Sequence, residues 1–227
     1  MAYGTLPLRR ADLNQGIHPF VTISREAGAG GHRLAGALLT QLKALDRVPL
    51  FQNWQLMDQT LCHKILENPK LRVSLETLLT EELHSEVEDI VNSLLAGYTP
   101  QAQVMIEVFN TVRTMATFGK AIIVGRGAVC LTRDLPYGVH VRLVAAPSSR
   151  IRRIMELRRL SKKEAQGLVK KMDRERARLL KIYFSKDIHD PRLYDVTWNT
   201  DFVSLEEIAS SVIGLIQSKA NRLMGAA

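Results

Sequence analysis

Phe20-Val21-Thr22-Ile23 is an apolar strand that runs straight into Ser24-Arg25-Glu26-Ala27-Gly28-Ala29-Gly30-Gly31-His32-Arg33. Leu34, Ala35, Ala37, Leu38, Leu39 and Leu42 follow at helical spacing. A strand, a glycine-rich turn and a helix start in succession form an anion cradle. The glycines let the backbone curl until several N–H groups point inward, and the helix start adds partial positive charge. Phosphate suits that geometry. The usual phosphate loop ends in Gly-Lys-Ser/Thr, whereas here the lysine position is Gly31, followed by His32 and Arg33. A tight strand-to-helix turn with no ligand would give a similar string.

The rest of the chain repeats the alternation. Helix one is expected from about Gly31 to Leu45, and Val48-Pro49-Leu50-Phe51 reads as a short strand. From 54 to 118 the pattern is almost wholly helical. Leu56, Leu61, Ile65 and Leu66 mark one helix, the leucine-rich run from Leu75 to Leu95 a second, and Val104 to Met115 a third. Ala121-Ile122-Ile123-Val124 is a continuous apolar run of buried-strand type, and Val139 to Val144 is another strand. Helices are expected at 148–159 and 161–184, with Ser161 and Glu164 as a capping box. Tyr194 to Trp198 is the last strand, before a helix capped by Ser204 with Glu207. This order predicts an α/β domain: a parallel sheet of about five strands flanked by helices, with ligands at the carboxyl ends of the strands. Residues 1–18 read as a flexible leader and 19–222 as a single domain. Three strand ends carry chemistry: Ser24-Arg25 with the glycine loop, Gly125-Arg126-Gly127, and Asn199-Thr200.

The net charge of +8 is unevenly placed. Arg150 to Lys186 holds 14 Lys/Arg and four acids, a net +10, so this one stretch carries the whole excess. A lid closing over a polyphosphate, a nucleic-acid surface and a solvated helical face all fit such a run. Only Tyr183 and Phe184 interleave with it, which argues against nucleic acid as the partner. No apolar run approaches the roughly 20 residues that cross a membrane, and no secretory signal opens the chain. Cys62 and Cys130 both lie in apolar helical patterns, as buried free thiols do, so the expected compartment is the cytoplasm.

Arg126 ends an apolar strand between two glycines, a poor place for an unpaired guanidinium. A phosphate or carboxylate ligand would meet it, or a structural ion pair with Glu26. Arg174 and Arg178 are four apart and share a helix face; with Arg150 or Arg153 they could clamp transferring phosphates. Asp173 and Arg176 share a different face, as a pair within the lid or a contact to the acceptor. Asp187, His189 and Asp190 lack the spacing of a dedicated metal site and read as a turn with side-chain caps.

From about residue 19 to 220 the chain resembles the cytidylate-kinase-like family of P-loop nucleoside monophosphate kinases. The resemblance is carried by Ile23 to Gly31 with the lysine missing, Ile122 to Gly127, Arg150 to Ile154, Ser161 to Ala165, Asp173 to Ala177, Asp190-Pro191, Tyr194-Asp195 and Asn199-Thr200. It implies a core, a helical acceptor-binding insertion at about 54–118, an arginine-rich lid at about 150–186, and ATP as donor. The expectation is then a phosphotransferase moving the γ-phosphate of ATP to a small acceptor, with a nucleoside monophosphate such as CMP as one candidate. Gly28, Ala29, Gly30, Gly31 and His32 would cradle the donor phosphates, with Asn199 on the same side. Arg25 or Arg33 would supply the missing charge, Arg126 would hold the acceptor, and Arg153, Arg174 and Arg178 would close from the lid. No protein metal site is expected, so Mg2+ would be held by the substrate. The alternative is a nucleotide-binding regulator that keeps the fold without the catalysis. The long apolar helices at 72–118 offer a face for a homo-oligomer.

Overall fold

The computed structural model describes residues 18–57 and 100–225. Five strands form one sheet: β1 Phe20–Arg25, β2 Gln55–Met57, β3 Ala121–Val124, β4 Gly138–Val144 and β5 Val196–Asn199. All pairings are parallel, in the order β2-β3-β1-β4-β5. The helices are α1 Gly31–Ala44, α2 Pro100–Phe118, α3 Ala128–Leu131, α4 Pro147–Arg158, α5 Lys162–Phe184 and α6 Leu205–Gly225.

The central strands are buried on both faces because helices cover both. Val21, Ile23, Val139, Val141 and Leu143 pack with Leu34, Leu38 and Leu42 of α1 and Ile208, Val212 and Ile216 of α6. On the opposite face Phe20 and Ile123 pack with Phe109 and Val112 of α2 and with Leu131 of α3. α4 and α5 form a hairpin whose small core (Ile154, Ala165, Val169) includes Ala27 of the glycine loop. The capping box at Ser161 is complete: Ser161 N–H donates to Glu164 at 2.8 Å, and Glu164 N–H donates back to Ser161 Oγ. No helix among the described residues is long and apolar enough to cross a membrane.

Several expected boundaries move. Val48 to Phe51 is not a strand: Pro49 has no N–H to give a ladder, and Pro49–Phe51 curls into a 3-10 turn. The strand comes later, at Gln55–Met57, and takes in Leu56, which the periodicity assigned to a helix. α2 begins at Pro100, four residues before Val104, since proline fits a first helical turn. β5 begins at Val196, because Tyr194 turns inward and its hydroxyl donates to Ile188 O at 2.9 Å. The expected helix from Leu75 to Leu95, most of the one before it, and Cys62 lie outside the described residues.

Candidate functional site

The carboxyl ends of β1 and β3 open into a pocket closed on the far side by α5. It is lined by Thr22 to Arg25, Gly125 to Val129, Arg176, Leu179, Leu180 and Ile188. Three guanidiniums, those of Arg25, Arg126 and Arg176, line it, and the lining includes no carboxylate.

The backbone after β3 explains how Arg126 reaches this place. Gly125, Arg126 and Gly127 adopt left-handed φ of 83°, 60° and 68° in succession. The left-handed region costs a residue with a Cβ roughly 1–2 kcal/mol, and strain of that kind gathers at functional positions. Arg25 comes from the end of β1. Its stem passes the start of α1 at Gly31 and its head reaches Gly125, where an added Cβ would collide with Nη1. Burial, followed by the charges of Arg176 and Arg126, pushes the Arg25 pKa down to about 9. A guanidinium there is still charged at neutral pH, so the pocket holds positive charge that an anion would relieve. Burial also lowers the pKa of Arg176, against the opposing charge of Asp173. Among the described residues no carboxylate pairs with Arg25 or Arg126, and Glu26 goes instead to Arg150.

The glycine loop is pinned by the α4–α5 hairpin. The Ala27 amide donates to Asp173 Oδ1 at 2.7 Å, and Asp173 Oδ2 takes Arg150 Nη1 at 2.6 Å. Arg150 also donates to Ala27 O at 3.1 Å, and Arg153 donates to Gly28 O at 3.4 Å. Gly28 has φ 80°, and a Cβ there would come within 2.5 Å of Arg150 O, so the hairpin backbone lies directly on the loop. No backbone carbonyl among the described residues takes the N–H of Gly28, Gly30 or Gly31, which leaves the cradle its donors.

A polar seam runs under the pocket between β1 and β4. Thr22 pairs with His140 and Ser24 with Arg142 in register. Thr22 Oγ1 lies 2.8 Å from His140 Nδ1. Burial, only partly offset by Asp195, pushes the His140 pKa down to about 4, so the ring is neutral. Arg142 is 4% exposed and has no carboxylate partner among the described residues. It donates to Tyr194 Oη at 3.3 Å and Ser24 Oγ at 3.5 Å, and its head lies over the Tyr194 ring. Sequence reasoning passed over Arg142. Its only signal was the alternation of Val139-His140-Val141-Arg142, which sets two polar residues on one sheet face.

The predicted site residues divide. Arg25 and Arg126 meet in the pocket, and Gly28, Ala29, Gly30 and Gly31 form the loop beside it. Arg176 joins them, the residue expected on a different face. Arg174 and Arg178, the expected clamp, are exposed on the outer side of α5. The reason is Asp173, whose tie to Ala27 turns the 173/176 face inward. His32 and Arg33 are exposed, and it is Arg25 that enters the pocket. Arg153 is engaged by Thr200 Oγ1 at 2.8 Å and Asp201 at 3.1 Å. Asn199 ends β5, and its Oδ1 accepts the Asp201 amide at 3.0 Å. Asp187 and Asp190 cap their own turn, accepting from the amides of His189 and Arg192. Cys130 is a free, half-buried thiol whose pKa burial raises to about 11.

The sequence profile of the cytidylate kinase-like family matches residues 20–201. Among solved structures, an uncharacterized protein from Eubacterium ventriosum superposes with TM-score 0.65 at 22% identity, covering 88% of this chain and 99% of that one. A shikimate kinase from Bacteroides thetaiotaomicron aligns with TM-score 0.45 at 16% identity, covering 92% of this chain and 97% of its own. A shikimate kinase from Acinetobacter baumannii in complex with shikimate aligns with TM-score 0.45 at 18% identity, covering 91% and 97%. No curated protein matches the chain.

Proposed function

The chain belongs to the cytidylate kinase-like family, and from that premise we propose that it transfers the γ-phosphate of ATP to a small anionic acceptor. The observation that carries this reading is the convergence of Arg25, Arg126 and Arg176 on a pocket lined by no carboxylate, at the carboxyl end of the strand that feeds the glycine loop.

Phosphoryl transfer asks for position and charge more than for covalent chemistry. The loop amides of Gly28, Gly30 and Gly31 receive the donor phosphates, while the Ala29 amide donates to Glu26 O at 3.1 Å. Arg126 and Arg176 hold the acceptor's anionic group, and Arg25 lies between the two, where charge develops on the moving phosphoryl group. An acceptor oxygen attacks the γ-phosphorus in line, the bond to the β-bridging oxygen breaks, and ADP leaves. The described residues gather no cluster of His, Cys, Asp and Glu that fits a resident metal. In this reading Mg2+ arrives with ATP as part of the donor substrate. A nucleoside monophosphate such as CMP is the first acceptor to test, and ATP as donor agrees with a cytoplasmic setting.

ADP release measured against a panel of nucleoside monophosphates and small phosphorylated or carboxylated acceptors tests the reading. Turnover is expected with at least one acceptor, and Arg126→Ala is expected to lower kcat/KM for it about 10- to 100-fold, chiefly by raising KM, the loss of a charge-assisted contact to the acceptor's anionic group. ATP binding without transfer to any acceptor would replace this reading with that of a nucleotide-binding regulator.

A further inference from the structure

Resting on the phosphotransferase reading, we propose that Arg25 is the cation a phosphate loop ordinarily carries as lysine, relocated from the helix start to the strand end. Gly31 is then glycine because Arg25 runs through the space its side chain would need.

The sequence shows the exchange once the structure points to it. In the pattern Gly-x-x-x-x-Gly-Lys-Ser/Thr the first glycine stands six residues before the lysine. Here the lysine position is Gly31, and six residues before it stands Arg25. The two residue types have changed places within one loop.

Geometry supplies the reason. A Cβ on Gly31 would lie 2.9 Å from Arg25 Cγ and 3.1 Å from Cδ. Those atoms belong to the stem of a half-buried side chain whose head lies against Gly125, not to a free tip that can swing aside. Gly31 has no left-handed φ, so its backbone does not call for glycine. It opens α1, and glycine in a helix is disfavoured by up to about 1 kcal/mol relative to alanine. The contact with Arg25 is therefore what keeps glycine at this position. Past Gly31, the guanidinium arrives at Gly125, where a side chain would again collide with it. Two glycines, one opening α1 and one in the turn after β3, clear one passage for one side chain. Arg33, the other candidate for this charge, is exposed. The exchange also changes the geometry of the charge. A lysine presents a point charge, whereas a planar guanidinium can bridge two phosphate oxygens at once.

The test measures MgATP affinity by calorimetry, with thermal unfolding to confirm that each protein is folded. Arg25→Gly and Arg25→Met are each expected to weaken MgATP binding about tenfold or more, the loss of a charge-assisted contact. Arg25→Lys should stay within about fivefold of wild type. The swapped protein, Arg25→Gly with Gly31→Lys, should recover to within about fivefold of wild type, while Gly31→Lys alone should bind worse than wild type. Wild-type affinity in Arg25→Met would overturn the assignment, as would a folded swapped protein no better than Arg25→Gly. If the swapped protein does not fold, the contrast between Arg25→Lys and Arg25→Met decides the matter, and equal losses there overturn it. Failure of the wild type to bind MgATP would instead remove the phosphotransferase reading itself.

Discussion

Asp173 on α5 and Ala27 in the glycine loop are joined by a 2.7 Å hydrogen bond from the Ala27 amide to Asp173 Oδ1. The other oxygen of the same carboxylate takes Arg150, and Arg176 stands 3.7 Å from Oδ1. One side chain thus fixes the loop, the hairpin and a pocket arginine together. Asp173→Ala is expected to cost about 2–3 kcal/mol, because it leaves a buried Arg150 with Glu26 as its remaining carboxylate. Asp173→Asn keeps an acceptor for Ala27 and should cost about half as much. Urea denaturation measures both, and unchanged midpoints would remove Asp173 as the tie.

Arg126→Gly separates function from stability. Glycine accepts φ 60° freely, so the substitution relieves backbone strain while it deletes the guanidinium. Stability should stay level or rise by up to about 1 kcal/mol while kcat/KM for the acceptor falls. A clear loss of stability would mean that Arg126 serves the fold instead.

Burial of the Arg25 head, followed by like charge from Arg176 and Arg126, penalises the ligand-free fold. The depressed pKa of Arg25 means that its charged form is disfavoured in the folded state relative to the unfolded chain. Arg25→Gln should therefore raise the melting temperature of the ligand-free protein. Inorganic phosphate, compared with chloride at equal ionic strength, should stabilise the wild type. At a hundredfold excess over Kd the gain is about 2.7 kcal/mol, or roughly 5–10 °C in a chain of this size. The shift should shrink sharply in Arg25→Gln; an equal shift in both proteins would place the anion elsewhere.

His140 sets an acid-side limit. The unfolded imidazole takes a proton near pH 6.5, but the folded ring stays neutral down to about 4. Between those values the unfolded chain binds the extra proton, so stability is full above pH 6.5 and falls as the pH drops toward 4, by up to about 3 kcal/mol. His18, whose pKa burial and Lys120 also lower, contributes in the same direction. The difference between wild type and His140→Gln isolates the His140 share. Parallel curves for the two proteins across this window would exclude His140 as the source.

Much of the site was legible because its signals are local. The glycine loop, the apolar run of β3 and the two glycines around Arg126 stand in consecutive residues, as do the caps at Ser161 and Asp190. The lid arginines were not legible in the same way. Helical spacing groups Arg174 with Arg178 and Asp173 with Arg176, but it does not say which group turns inward. That is decided by a bond to Ala27, 146 residues away. Arg142 was hidden for a related reason: alternation gives its sheet face, while its partners Ser24 and Tyr194 come from other strands and loops. Pro49 carried the warning against a strand at 48–51, and the apolar residues around it outweighed that warning.

The Arg25 stem and the absent Cβ of Gly31 claim one volume. Neither position is free to drift by itself. A lysine introduced at 31 alone would collide with the stem, and loss of Arg25 alone would remove the cation from that spot. A change at either position is therefore expected to be tolerated only with a compensating change at the other.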